Sequence, residues 1–154
     1  MQKEFNMSID INKDNVFQQV GMNVSILARS IKDADGNSLY DKVYIQDRDY
    51  AVLDQYFASV IGEIVHTLRD FVIGVDGSIV SVEFDERNTE PFIKQVEALC
   101  INYAVTRVTC EWLKRKAVEY AELYENNAIQ LLAQIKSHAY HKNIPEMKLY
   151  GEGE

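Results

Sequence analysis

Residues 92–144 read FIKQVEALCINYAVTRVTCEWLKRKAVEYAELYENNAIQLLAQIKSHAYHKNI, a run without glycine or proline in which almost every residue is at ease in a helix. At about 1.5 Å per residue an unbroken helix of that length would reach roughly 80 Å, well beyond the diameter of a domain of this size. The run must therefore fold back as a hairpin, kink, or stand out and pack against other chains. Val96, Leu99, Tyr103, Thr106, Cys110, Leu113, Ala117, Tyr120, Tyr124, Ala128, Leu131, Ile135 and Ala139 keep a spacing near 3.5 residues along it. Several of these are Ala, Thr or Tyr, which suits a free two-stranded coiled coil poorly. Two helices joined or kinked near 115–120 fit best. Edged with tyrosine and paired charge, the run reads as surface kept for a neighbouring subunit. Pro145 ends it, and Gly151 and Gly153 leave a short, flexible acidic tail over 145–154.

Outward from that run, 154 residues with two prolines and 47% hydrophobic content describe a single domain, 1–154, with one core. A net charge of −8 opposes non-specific binding to nucleic acid, which needs clustered Lys and Arg. Met1 to Asn12 lack a basic segment followed by an apolar one, and no stretch approaches eighteen continuous apolar residues, so the expectation is a soluble chain with no membrane partner. Cys100 and Cys110, about 15 Å apart along one helix, read as buried small hydrophobes.

Residues 1–46 are expected to form an N-terminal helix and an extended arm. Asn12 can cap the helix, in which Val16, Phe17, Val20, Val24, Leu27 and Ile31 recur at helical spacing, with Gly21 weakening the middle. The helix stops near Ser30, before the turn cluster Asp33 to Asn37, and Leu39 to Ile45 alternates as a short strand or arm. Residues 47–144 form the helical core. Asp47 or Asp49 opens a second helix with a wide apolar stripe from Tyr50 to Phe71 through Leu53, Tyr56, Phe57, Val60, Ile61, Ile64 and Leu68. Ala58 and Gly62 on it mark a close helix approach. Asp76-Gly77 then signals a hairpin near 72–85, with Val80, Val82 and Phe84 alternating opposite Phe71 to Val75. Two strands alone are marginal, so the hairpin must lean on the helices or pair with another chain. Asn88 or Thr89, with Pro91 in the first turn, starts the long run. The fold class is mainly α: a small helical bundle with one long helical hairpin or kinked long helix and a short β-hairpin insertion.

The candidate chemistry is thin. His138 and His141, three apart, have no third ligand in register, and read as a solvated helix end. Aligning Gly36 with the invariant glycine of a calcium loop puts Ile31 and Lys42 at the first and last ligand positions, so the segment reads as a surface turn. Carboxylates are plentiful, but no pair has neighbours that would split their pKa values. The reading is therefore non-enzymatic, with no catalytic residues, cofactor or metal. Lys114, Arg115 and Lys116, followed by Glu119, Glu122 and Glu125, are spaced to pair within a helix or across subunits. Tyrosines suit half-buried surfaces at interfaces. Tyr56, Trp112, Lys114, Arg115, Lys116, Tyr120 and Tyr124 form the candidate subunit interface.

The order of elements adds a resemblance. Asp49-x-x-x-Leu53-x-x-Tyr56 continues through Ile61, Ile64 and Leu68; a long helix follows with Ala98, Ala104 and Trp112, then a helix with Tyr120, Tyr124, Leu131 and Ile135. Over about Asp47 to Asn143 this resembles the head-tail connector proteins of tailed bacteriophages, also called adaptor or head-completion proteins. Some forty residues precede the matching region, and the Asp76-Gly77 hairpin is more regular than the loop expected there. The resemblance implies a virion structural protein, assembled in the host bacterial cytoplasm. It would form a homo-oligomeric ring of roughly twelve subunits through heterologous contacts, between the portal protein and tail or stopper proteins. DNA would pass through the ring without specific recognition, and an acidic lining would let it slide. The alternative is a helical regulatory or protein-binding module of a bacterial cell.

Overall fold

The computed structural model describes residues 7–30, 43–84 and 89–140. Among them the chain is mainly helical, with a small antiparallel sheet. The elements run β1 (Met7–Asp10), α1 (Lys13–Ser30), a 3-10 turn (Asp47–Asp49), α2 (Tyr50–Thr67), β2 (Val72–Asp76), β3 (Ile79–Val82), α3 (Glu90–Lys116), a second 3-10 turn (Val118–Tyr120) and α4 (Ala121–Tyr140).

The start of α1 is fixed by Asn12, whose side-chain oxygen accepts the Asn15 N–H at 2.8 Å. Val16, Val20, Val24 and Ala28 form its buried stripe. The Asp49 carboxylate accepts the Gln46 N–H at 2.8 Å, closing the turn that leads into α2, where Leu53, Phe57, Val60, Ile61 and Ile64 are buried. The small positions on α2 do not serve a close helix approach: Ala58 and Gly62 are exposed, and a Cβ at Gly62 would meet nothing within 4 Å.

The long run folds back on itself. Helix α3 ends at Lys116, Ala117 takes a non-helical conformation (φ −154°, ψ 72°), and α4 returns along α3. The reversal brings Glu125 to Lys114 near the bend and His138 to Gln95 and Phe92 at the other end. No glycine or proline makes the bend. Its placement follows from Ala117 and Ala121, both buried and small enough to let the two helices meet. Helix α3 packs against α1, α2, α4 and β1 and is the spine of the core, with Ile93, Val96, Cys100, Tyr103, Val108 and Leu113 inside. Most of the seam of this run therefore serves its own chain, while Val118, Leu123 and Ile129 stay exposed on it.

The hairpin does not stand on two strands. Residues 7–10 join it, giving the order β1-β3-β2, with Ile9 opposite Val80 and Met7 opposite Val82. Its loop is Gly77-Ser78 rather than Asp76-Gly77, since Asp76 pairs with Ile79. Gly77 sits at φ 65°, the positive value that hairpin turns of the mirror-image kind require. Val80, Val82 and Phe84 point into the core as the alternation predicts.

Residues 31–42 and 141–154, with the Asp33 to Asn37 turn, most of the Leu39 to Ile45 stretch and His141, lie outside the described residues. None of the described helices is long and apolar enough to cross a membrane.

Candidate functional site

The seven residues of the expected interface do not form one surface. Trp112 leaves it altogether: its side chain is 0% exposed, and its indole N–H donates to the Val43 carbonyl at 2.7 Å. A tryptophan whose only polar atom is bonded inside the core presents nothing to a neighbour, so it is a core residue that ties 43–46 onto α3. Lys116 covers its outer face, with Nζ 5.1 Å from the ring centroid. Arg115 is exposed, and Tyr56, Tyr120 and Tyr124 are half-buried against the core. Lys114 does not pair with Glu119 or Glu122 along one helix, because the helix breaks between them. Instead it meets Glu111 at 3.4 Å and reaches across the bend to Glu125 at 3.2 Å. All three cations lie in the last turn of α3, where the helix dipole favours them.

Lys114 belongs to a polar string that the sequence did not announce. The Tyr103 hydroxyl donates to a Glu63 carboxylate oxygen on α2, Arg107 stands 3.5 Å from both the Tyr103 oxygen and Glu111, and Glu111 meets Lys114. The spacing 103, 107, 111, 114 runs along one face of α3, so the string laces α2, α3 and α4 together. Burial, and then the hydrogen bond to Glu63, push the Tyr103 hydroxyl up to about 12. Each member is matched by a partner of opposite charge or a hydrogen bond, which makes the string a clasp between helices.

Both cysteines are free and buried, as expected of small core residues. Burial, with Glu97 nearby, pushes Cys100 up to about 12, which removes its thiolate and its reactivity. His138 lies half-exposed in the last turn of α4 and has partners there. Its Nε2 lies 2.9 Å from Gln95 Oε1 and its ring stacks on Phe92, with centroids 5.1 Å apart. No group of three or more His, Cys, Asp or Glu among the described residues is placed to hold a metal ion.

Among the described residues two apolar surfaces that share no residue stand out, beside the exposed Val118, Leu123 and Ile129 of the bend and α4. The first is a groove of about 470 Å³ between α1 and residues 44–50, lined by Phe17, Met22, Ile26, Arg29, Tyr44 and Tyr50. Met22 and Ile26, one turn apart, lie off the buried stripe of α1, and Ile26 is 66% exposed. Phe17 stacks on Tyr50 at 5.7 Å and forms the floor. The second is the β2 edge. The sheet's two edges differ: β1 is closed against α3, where its Asp10 N–H donates to Glu97 at 2.8 Å, whereas among the described residues β2 pairs only with β3. Ile73 is 57% and Val75 49% exposed along that open edge, with Ile79 beside them. Apolar residues off the buried face of a helix were the sequence signal for the first surface. A β-branched strand gave no comparable signal for the second, because it reads the same whether buried or exposed.

No protein-family model, curated protein or solved structure matches this chain.

Proposed function

We propose that this chain is a non-enzymatic virion structural protein, a head-tail connector or adaptor subunit that assembles into a ring between portal and tail components. The observation that carries the assembly reading is the pair of unlike apolar surfaces, the α1 groove and the open β2 edge, left on a chain whose long helices pack their seam into its own core. Contiguous exposed apolar area on a soluble domain marks an interaction site. Head-to-tail assembly requires two different patches on each subunit, which a ring repeats until it closes. The connector assignment rests further on the order of elements over Asp47 to Asn143, a helix, a short β segment, a long helix and a tyrosine-bearing helix. The net charge of −8 suits a passage through which DNA slides without adhering.

Light scattering and negative-stain microscopy test this directly, on the purified chain alone and with the portal protein of its own virus. Rings are expected, in the mixture if not alone. A monomer indifferent to the portal protein at every concentration would sink the proposal.

A further inference from the structure

The open edge of β2 has a specific occupant in reach. Strand β2 carries neither the lysine nor the proline with which exposed edges are commonly guarded, and its Ile73 and Val75 are exposed. Directly before it, the Phe71 ring packs on Tyr140, with centroids 4.9 Å apart. The last described residue of α4 therefore stands at the Val72 end of the open strand. Beyond it the sequence continues as HKNIPEMKLYGEGE, fourteen residues able to span up to roughly 45 Å when extended. Pro145 bars these residues from prolonging α4, and Met147-Lys148-Leu149-Tyr150 follows.

We propose that residues 147–150 of one copy add as a fourth, antiparallel strand to the β2 edge of the next copy. This rests on the assembly reading above and names its contact. Charge and shape select the register. With Lys148 opposite Asp76, Leu149 falls opposite Val75 and Tyr150 opposite Gly74. That register makes an ion pair, an apolar pair and an aromatic ring over a glycine, the cross-strand combinations that stabilise sheets. A register shifted by two residues would put Glu146 against Asp76 instead, two like charges. The direction favours a neighbouring copy over the same chain, whose own tail would have to double back along β2 before pairing with it. All pairs in this sheet are antiparallel, so the added strand enters from the Asp76 end, whereas the chain's own tail leaves from the Val72 end. A tail on a neighbour's edge is a heterologous contact, and repeating it propagates a ring.

The test uses the full chain carrying Leu149→Asp, which disables its own tail, and a synthetic peptide of residues 141–154. The peptide is expected to bind with half-saturation below roughly 1 mM and to slow amide exchange over 72–76. Val75→Lys in the receiving chain, or Lys148→Asp in the peptide, should each weaken binding about tenfold or more, and Asp76→Lys should restore the Lys148→Asp peptide. In the unmodified chain, protection of 72–76 should fall on roughly hundredfold dilution. Protection that is unchanged by dilution, whether present or absent, overturns the proposal, the first case because the tail then binds its own chain. So does self-association that survives Leu149→Asp, which would place another surface, the α1 groove or β2 itself, at the contact. Rings without peptide binding would remove this contact and leave the assembly reading standing. Peptide binding and dilution-sensitive protection in a chain that never forms rings would do the reverse.

Discussion

Thr109 offers the sharpest test of how this core is held. Its hydroxyl oxygen is buried on α3 and has no hydrogen-bond partner among the described residues. A buried hydroxyl that makes no bond costs about 1–3 kcal/mol relative to water. Thr109→Val removes that cost and substitutes a methyl of similar size, itself favoured by about 0.8 kcal/mol when buried. Thr and Val have nearly equal helix propensity, so α3 gains or loses little locally. The expected outcome is a stabilisation of about 1–2 kcal/mol after allowing for imperfect fit of the methyl. Urea unfolding followed by helical circular dichroism and by the fluorescence of Trp112, the sole tryptophan, should show a higher midpoint with unchanged slope. Thr109→Ser is the control: it keeps the hydroxyl, deletes the methyl, and should destabilise by about 1 kcal/mol. If Thr109→Val instead unfolds earlier while Thr109→Ser does not, the hydroxyl makes a stabilising bond and the reasoning fails.

Three further outcomes follow from the geometry. Trp112→Phe strands the Val43 carbonyl and opens space in the core, and should destabilise by about 2–4 kcal/mol, read by circular dichroism in urea. Gly77→Ala forces a side chain into φ 65° and should cost about 1–2 kcal/mol, with Gly77→Asn costing less because asparagine tolerates that conformation; thermal unfolding distinguishes them. Tyr103 holds its proton up to about 12 in the folded chain, against about 10 when unfolded, so its contribution is complete below the lower value and is lost as pH rises through the higher one. Tyr103→Phe should therefore flatten the fall in stability between about pH 10 and 12, and the phenolate absorbance difference between the two chains should titrate late.

Local signals carried most of the fold. The Asn12 cap, the α2 stripe, the hairpin and the break in the long run each depend on residues within about one turn of helix or strand of one another, where propensity and periodicity act. What escaped was set by partners far along the chain. Met7-Ser8-Ile9-Asp10 is too short to declare itself a strand, and becomes one because Val80 and Val82 lie open beside it. Trp112 looks like an interface residue in composition, and its burial depends on Val43, 69 residues away. Lys114 looked matched to Glu119 and Glu122 on one continuous helix. Once Ala117 breaks the helix, Glu125 becomes the nearer carboxylate. Ile73 and Val75 were placed correctly in a strand, but their exposure is decided by which strand stands at the edge.

The two apolar surfaces also have to be reconciled with a chain of net charge −8. Copies approaching one another repel over roughly a Debye length, about 8 Å at physiological ionic strength, while apolar contact acts only on touching. Repulsion of that kind holds apart subunits whose sheet edge would otherwise pair indiscriminately, and it does so most where the approaching surface is acidic. The hairpin region exposes Asp70, Asp76 and Glu83, so edge-to-edge pairing of two β2 strands brings like charge together. A strand that carries Lys148 into the same place sets one cation against Asp76. The feature that makes the β2 edge hazardous, an unguarded apolar strand, therefore becomes selective through its acidic surroundings, which reject a copy of themselves, while in the tail the register sets Lys148, and not the flanking Glu146, against Asp76.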